Sequence, residues 1–349
     1  MKEDAIQKVK FGDLNVKDSF FNSLIADYAG FEDWFNRKSN EFAFIIRDSS
    51  DKLNGFLYLK DEMEENDSIQ PKFEKKRRLK IGTFKIEAHG TVLGQRFLSI
   101  ILHEMVENNH NFVYVTLFEK QRGLINLFEK FGFKYWGTKD EKELVYCKDL
   151  SVKNDIYKDY PRINEKTSKS KYLISIFPQF HTKMFPNSKL KTEKEHFVED
   201  LSFTNTIEKI YITKMSGVPA LKRGDQLIIY RTKDDYRSAE YSSVATSICT
   251  VIDQKSINDF PTEEDFLEYC GKGSIFSKQE LQGFYKTKRY PYIIKMLYNL
   301  ALPKRIIRKQ LIEEVGLNRK DYFGFLQLTD NQYEKILEIG EINEGFIIN

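Results

Sequence analysis

Apolar residues recur at three- and four-residue spacing over Ser19 to Tyr28 and Phe31 to Lys38, which predicts two short helices with one face turned to a core. The pattern then shifts to compact apolar and aromatic runs. Phe42 to Arg47 and Leu53 to Leu59 are predicted strands, joined by Asp48-Ser49-Ser50-Asp51-Lys52, a polar connection rich in turn residues. Leu79 to Ile86 predicts another strand, leading through a glycine-containing turn into a helix over Gly94 to Asn108. Phe97, Leu98, Ile101, Leu102 and Met105 share one face of that helix. A strand over Phe112 to Leu117, a helix over Arg122 to Phe131, and a strand pair at Phe133 to Tyr135 and Glu143 to Cys147 follow. Strands interleaved with helices in this order predict a mixed α/β layer.

Two stretches lack periodic hydrophobicity. Asp61 to Arg78 alternates acidic and basic runs and reads as a mobile loop between strands, long enough to cover a site. Lys158 to Lys171 carries Pro161 and a Lys-Thr-Ser-Lys-Ser-Lys run and reads as a linker. The expected organisation is a domain over 1–157, the linker 158–171 and a second domain over 172–349. In the second domain Tyr172 to Ile176, Lys209 to Thr213, Leu227 to Arg231 and Ser242 to Ile252 are predicted strands, and Glu263 to Cys270 and Lys278 to Tyr285 predicted helices. Leu221-Lys222-Arg223-Gly224-Asp225 suits a tight β connection.

Composition narrows the class. With 41% hydrophobic residues, 28 Phe and 19 Tyr, the chain has far more packing material than a disordered protein. No apolar run approaches the roughly 20 residues a membrane-spanning helix needs, and the first residues hold no apolar signal core, so a cytoplasmic location is expected. The three cysteines, Cys147, Cys249 and Cys270, form no CxxC pair and are expected to be reduced and structural. Five His residues without paired ligand spacing give no reason to expect a metal. The net charge is +3; 26 basic and 27 acidic residues precede the end of Tyr160, and 29 basic and 25 acidic follow it. The excess falls in Lys286 to Arg289 and Lys304 to Lys309, a spacing suited to a local anion-binding face or to a solvated helix surface.

The chemistry concentrates at His89-Gly90-Thr91-Val92-Leu93-Gly94-Gln95-Arg96-Phe97-Leu98, on a strand-to-helix junction. A helix N-terminus there offers unsatisfied N–H donors and partial positive charge, and glycine lets a pyrophosphate approach the backbone. This segment resembles the acetyl-coenzyme A loop of the GNAT acyltransferase family, Arg/Gln-x-x-Gly-x-Gly/Ala before an apolar helix. His89 takes the Arg/Gln position, Val92 the first Gly and Gly94 the second. Downstream, Val113 to Thr116 and Gln121 to Phe133, which ends Phe128-Glu129-Lys130-Phe131-Gly132-Phe133, are similar to the later strand and helix of that family at the right separation. The resemblance covers about 1–150.

It implies a GNAT-like mixed sheet with flanking helices. A coenzyme A thioester, acetyl-CoA as co-substrate, would lie in a cleft between splayed parallel strands at Lys80 to Glu87 and Phe112 to Leu117. Leu93, Gly94, Gln95 and Arg96 would take the pyrophosphate on their amides, with Ile86 and Gln121 completing the cofactor-binding set. Many family members use a Tyr on the later helix to protonate the leaving thiolate, and Phe128 holds that position here. Tyr114 and Tyr135 are candidates for the missing phenol, and Glu87 and His89 for the general base.

The second half resembles the PUA-like superfamily, with its ASCH and EVE domains, through its strand pattern and the Gly224-Asp225 turn, although it has no Gly-x-Lys-x-x-Glu-x-Arg signature. That resemblance implies a small β-barrel domain with helices and an RNA partner. The fold class expected for the whole chain is therefore α/β plus β-rich. Lys222, Arg223, Arg231, Lys304 and Arg305 are candidate phosphate contacts, Tyr230 and Phe180 candidate stacking rings, and His181 a candidate base-edge contact. Together the halves imply an acetyl-CoA-dependent N-acetyltransferase acting on an RNA, tRNA or protein amine. The alternatives are a non-catalytic acyl-CoA-sensing, nucleic-acid-binding regulator or toxin-like protein, and hydrolysis of an acylated base by the second half.

Overall fold

The computed structural model describes residues 6–48, 50–87, 92–165, 169–188, 206–233 and 238–348. The chain divides into two compact units, Met1–Ser151 and Val152–Asn349. Among the described residues, no helix is long and apolar enough to cross a membrane.

The first unit is built on one mixed sheet. Its strands are β1 (Gln7–Lys10), β2 (Phe42–Arg47), β3 (Leu53–Glu62), β4 (Ile69–Gln70), β5 (Arg78–Ile86), β6 (Phe112–Leu117), β7 (Lys134–Lys139) and β8 (Glu143–Asp149). They lie in the order β1-β2-β3-β5-β6-β8-β7-β4. The 3-10 turn Ser19–Phe21, followed by helix α1 (Asn22–Asp27), and helix α2 (Phe31–Arg37) bring Phe20, Phe21, Phe31 and Phe35 into one buried aromatic core with Phe56 and Tyr58 of β3. Gly30 has φ +79 between these helices, a backbone angle that glycine adopts at no steric cost. Helices α3 (Leu93–Glu107) and α4 (Arg122–Lys130) supply Phe97 and Phe128, whose rings pack edge-on to Phe84 of β5 at 5.7 and 5.9 Å.

The second unit opens with β9 (Ile163–Asn164), which pairs with the C-terminal β16 (Ile347–Ile348). Its main sheet comprises β10 (Lys171–Ile176), β11 (Glu208–Thr213), β12 (Gln226–Arg231), β13 (Val244–Ser256), β14 (Tyr292–Ile307) and β15 (Phe325–Leu328), ordered β11-β14-β13-β12-β10-β15. Its helices are α5 (Pro178–Met184), α6 (Ala239–Ser242), α7 (Glu263–Cys270), α8 (Lys278–Thr287), α9 (Arg308–Glu313) and α10 (Asp330–Ile339). α7, α8 and α10 each begin with a reciprocal capping box, Thr262 with Asp265, Ser277 with Glu280 and Thr329 with Gln332. β13 and β14 shift register three times; between Ser247↔Ala301 and Ala245↔Ile306 the residues 302–305 bulge out, so Pro303 occupies a position that owes the ladder no N–H.

The chain is thus α/β plus β-rich, two large sheets with flanking helices. Among the described residues the edge strands β11 and β15 of the second sheet are not paired with each other.

Candidate functional site

Strands β5 and β6 run parallel but pair over only three positions, Leu79↔Val113, Lys80↔Tyr114 and Ile81↔Val115. Beyond that fork β5 stays hydrogen-bonded to β3 as far as Ile86, and β6 stays bonded to β8. Residues 82–86 of β5 therefore keep an open strand edge toward the gap. The gap is the floor of a 1390 Å³ cleft, lined among others by Gly82, Ile86, Thr116, Gln121, Leu124 and Leu127.

The α1–α2 segment lies along this cleft and is fastened to both arms of the fork. Lys85 of β5 donates to the Phe20 carbonyl and to Ser23 Oγ, the latter at 2.6 Å. Past β6, Lys120 donates to both carboxylate oxygens of Asp27 at 2.9 Å, and the Tyr28 ring lies 5.4 Å from that of Phe118.

Two carboxylates, one buried and one half-buried, sit near the fork. Glu143, 5% exposed, opens β8 and accepts hydrogen bonds from Tyr28 (2.8 Å) and Thr116 (3.0 Å) on Oε1 and from Lys139 (2.9 Å) on Oε2. Burial first, and the Glu143 charge second, push the Tyr28 phenol far above its ordinary value. The other carboxylate, Glu62 of β3, accepts from Tyr114 (2.6 Å) and lies 3.4 Å from Lys80 Nζ. Burial opposes ionisation of Glu62, but the Tyr114 hydrogen bond and the Lys80 charge hold its carboxyl below the usual range.

Of the residues singled out in the sequence, Ile86, Glu87, Gly94, Gln95 and Gln121 line the cleft together. The Glu87 side chain is 43% exposed and pairs with Lys85 at 3.0 Å. His89 lies outside the described residues. Leu93 and Arg96, both 3% exposed, turn their side chains inward from the first turn of α3, whose N-cap residue Val92 makes no side-chain cap bond. Gly94 has a packing role: a Cβ there would come within 2.9 Å of Leu127 Cδ2 on α4. Tyr114 is fully buried with its hydroxyl committed to Glu62, and it is not among the residues lining the cleft. Tyr135 is 56% exposed on β7, with Tyr146 beside it. Phe128 is completely buried between Phe84 and Phe133.

Tyr28, Thr116, Lys139 and Glu143 were not singled out from the sequence. Tyr28 and Glu143 are 115 positions apart, and each sits in an apolar pattern that explains itself by packing.

In the second unit the nucleic-acid candidates divide by depth. Lys222 and Arg223 are exposed on the turn before β12, where Arg223 lies over the Tyr157 ring. Lys304 is exposed and paired with Glu341, and Arg305 reaches back to the Leu302 carbonyl. Tyr230 and Arg231 are 2% exposed, and Tyr230 packs against Phe323, while Phe180 packs against Phe276. His181 is fully buried and bonded to Thr246 at 2.8 Å; burial, reinforced by Arg231 and Arg305, depresses its pKa to about 3. Among the described residues no group of three or more His, Cys, Asp or Glu could hold a metal ion, and all three cysteines are buried.

No family model matches the chain, and no curated protein matches it. Among solved structures, a variant of the ASCH protein ZmASCH from Zymomonas mobilis aligns over 48% of this chain and 95% of its own, with 13% identity and a TM-score of 0.31. A GNAT-family acetyltransferase from Staphylococcus aureus aligns over 42% of this chain and 100% of its own, with 11% identity and a TM-score of 0.31. A GNAT-family acetyltransferase from Streptococcus agalactiae aligns over 42% and 96%, with 16% identity and a TM-score of 0.31.

Proposed function

We propose that the first unit is an acyl-coenzyme A-dependent N-acyltransferase. The observation that carries this reading is the fork at Ile81 and Val115, which leaves residues 82–86 of β5 with a free edge inside a cleft. An extended chain carrying its own amides, as the pantetheine arm of coenzyme A does, can add to such an edge as a further strand. At the far end of that edge, Gly94 and Gln95 bring the first turn of α3, with the positive end of the helix dipole, to the cleft lining, where a pyrophosphate would meet it. Ile86 and Leu127 supply apolar wall between the two. When bound, an acyl-CoA would supply an activated carbonyl to an amine entering past α1–α2. In this reading the exposed Lys222 and Arg223 of the second unit recruit an RNA acceptor by its phosphates.

The test is calorimetric titration of the full chain with acetyl-CoA. Gln95→Glu adds a carboxylate to the first turn of α3, where a negative charge favours the helix but repels a pyrophosphate. The variant is expected to bind at least about tenfold more weakly, a loss of about 1.4 kcal/mol, with the thermal midpoint measured alongside because Gln95 Oε1 is buried. Absence of binding by the unmodified chain overturns the reading. Gly94→Glu is the poorer probe, since a Cβ there would come within 2.9 Å of Leu127 Cδ2 and displace that side chain, so that steric and charge effects on binding would be mixed.

A further inference from the structure

We propose that Tyr28 and Glu143 are the proton-handling pair of this cleft, with Glu143 taking the proton of an attacking amine and Tyr28 protonating the departing thiolate. This rests on the acyltransferase reading and answers the question that reading leaves, which group acts where α4 presents only Phe128.

Position is the first argument. Thr116 is the first residue of β6 beyond the last pair with β5, and its hydroxyl holds Glu143 Oε1 at 3.0 Å. The carboxylate is thereby fixed one hydrogen bond from the fork, and the Tyr28 hydroxyl lies 2.8 Å from the same oxygen. Both Tyr28 and Glu143 line the cleft.

Rigidity is the second. The Tyr28 N–H donates to the Leu24 carbonyl at 3.0 Å, the Phe31 N–H donates to the Tyr28 carbonyl at 3.2 Å, and the ring is seated on Phe118. The phenol is held in place without help from a ligand. Of the candidates named from the sequence, Tyr114 is bonded to Glu62 and Glu87 is paired with Lys85.

Coupling is the third. Burial raises the pKa of the Tyr28 phenol most, the charge and hydrogen bond of Glu143 next and Asp27 least, so the phenol holds its proton beside the Glu143 charge. When Glu143 accepts a proton its part of that shift disappears while the part due to burial stays, and the phenol becomes a stronger acid than before at the moment a thiolate leaves. Lys139, which compensates Glu143, lies 3.6 Å from Asp140 and has a second anion to turn to. The proton and bond balance closes. The amine nitrogen bonds to the thioester carbon and gives one proton to Glu143. The carbon–sulfur bond breaks with its electron pair on sulfur, which takes the Tyr28 proton. The proton on Glu143 then crosses to the phenolate, restoring both groups and leaving an amide and a free thiol.

The experiment uses the full chain, acetyl-CoA and hydroxylamine as a small nucleophilic amine, with acetyl-CoA affinity measured alongside. Tyr28→Phe keeps the ring on Phe118, and Glu143→Gln keeps an oxygen for Tyr28 and Thr116. Both are expected to lose at least about 100-fold in turnover while binding acetyl-CoA within twofold of the unmodified chain. With an aryl thioester, whose thiolate leaves without a proton, Tyr28→Phe should recover to within about fivefold and Glu143→Gln should not, a split that loss of structure would not produce. If one variant fails to fold, the other decides. Turnover of either folded variant within threefold of the unmodified chain overturns the proposal, as does acetyl-CoA binding by the unmodified chain with no acceleration of hydroxylaminolysis. Failure to bind acetyl-CoA at all overturns the acyltransferase reading itself.

Discussion

The two units bury polar side chains in opposite ways. In the first, Tyr28, Thr116, Lys139 and Glu143 meet at the wall of a cleft, where water or a ligand can reach them. In the second, Ser188 bonds Ser247 at 2.7 Å and Tyr298 at 3.1 Å, and His181 bonds Thr246, all inside the sheet's interior. A polar group sealed from water can find partners only in the protein, as His181 Nε2 does and, among the described residues, its Nδ1 does not, so its loss falls on stability; one at a cleft wall can exchange its partner and is free for chemistry.

The strongest way to break this contrast is pH. His181 stays neutral in the folded chain because its pKa has fallen from 6.5 to about 3. Below pH 6.5 the unfolded chain binds this proton and the folded chain does not, so the stability is complete above pH 6.5 and is lost as the pH falls toward 3. The loss reaches about 2 kcal/mol by pH 5, at a limiting slope of about 1.4 kcal/mol per unit. Denaturant midpoints of the unmodified chain and His181→Gln, measured from pH 7.5 to 5, should converge as the pH falls. Parallel curves would mean that water reaches His181.

A smaller effect comes from making one deletion twice. Tyr298→Phe removes a hydroxyl from the sealed cluster and is expected to cost about 1–1.5 kcal/mol of stability, since Ser188 loses one of its two partners and no water replaces it. Tyr28→Phe should cost less than about 0.5 kcal/mol, because cleft water can take the place of the phenol on Glu143. Chemical denaturation of both variants checks the pair, and equal costs would show the cleft wall to be as closed as the interior of the second unit.

How far each region was legible in the sequence follows the same division. The helix and strand order of the first unit is written in local periodicity, and Phe42–Arg47 and Phe112–Leu117 match the predicted strands residue for residue. The segment 61–78 departs from its reading as one loop: Asp61 and Glu62 extend β3, Ile69–Gln70 pairs with β7, and Arg78 begins β5, because cross-strand partners rather than local pattern make those residues strands. β14 was missed altogether. Its Lys304 and Arg305, following Pro303, read as a basic face or a helix cap, whereas the bulge at 302–305 and the buried Asn299, which donates to the Pro161 carbonyl, keep the strand running through them. The apolar runs predict both strands of the fork, while the gap between them is expected only through the GNAT resemblance. The Tyr28–Glu143 pair was not anticipated, since only the folded sheet brings β8 to the end of α1.

The smallest expected effect tests whether the cleft is fastened or merely covered. Asp27 and Lys120 join α1 to the loop after β6 at 2.9 Å, with side chains 32% and 65% exposed. Both reach water and salt, and holding the long Lys120 side chain in one geometry costs entropy, so the pair should contribute little despite its short distance. A double-mutant cycle with Asp27→Asn and Lys120→Met is expected to give a coupling below about 0.5 kcal/mol that vanishes in 1 M salt. With so weak a latch, it is the Tyr28 ring on Phe118 and the Lys85 bonds to Phe20 and Ser23 that hold α1 along the cleft. A coupling above about 1 kcal/mol that survives salt would reverse this: the roof would be closed by a desolvated ion pair, and an amine could reach Glu143 only after that pair had opened.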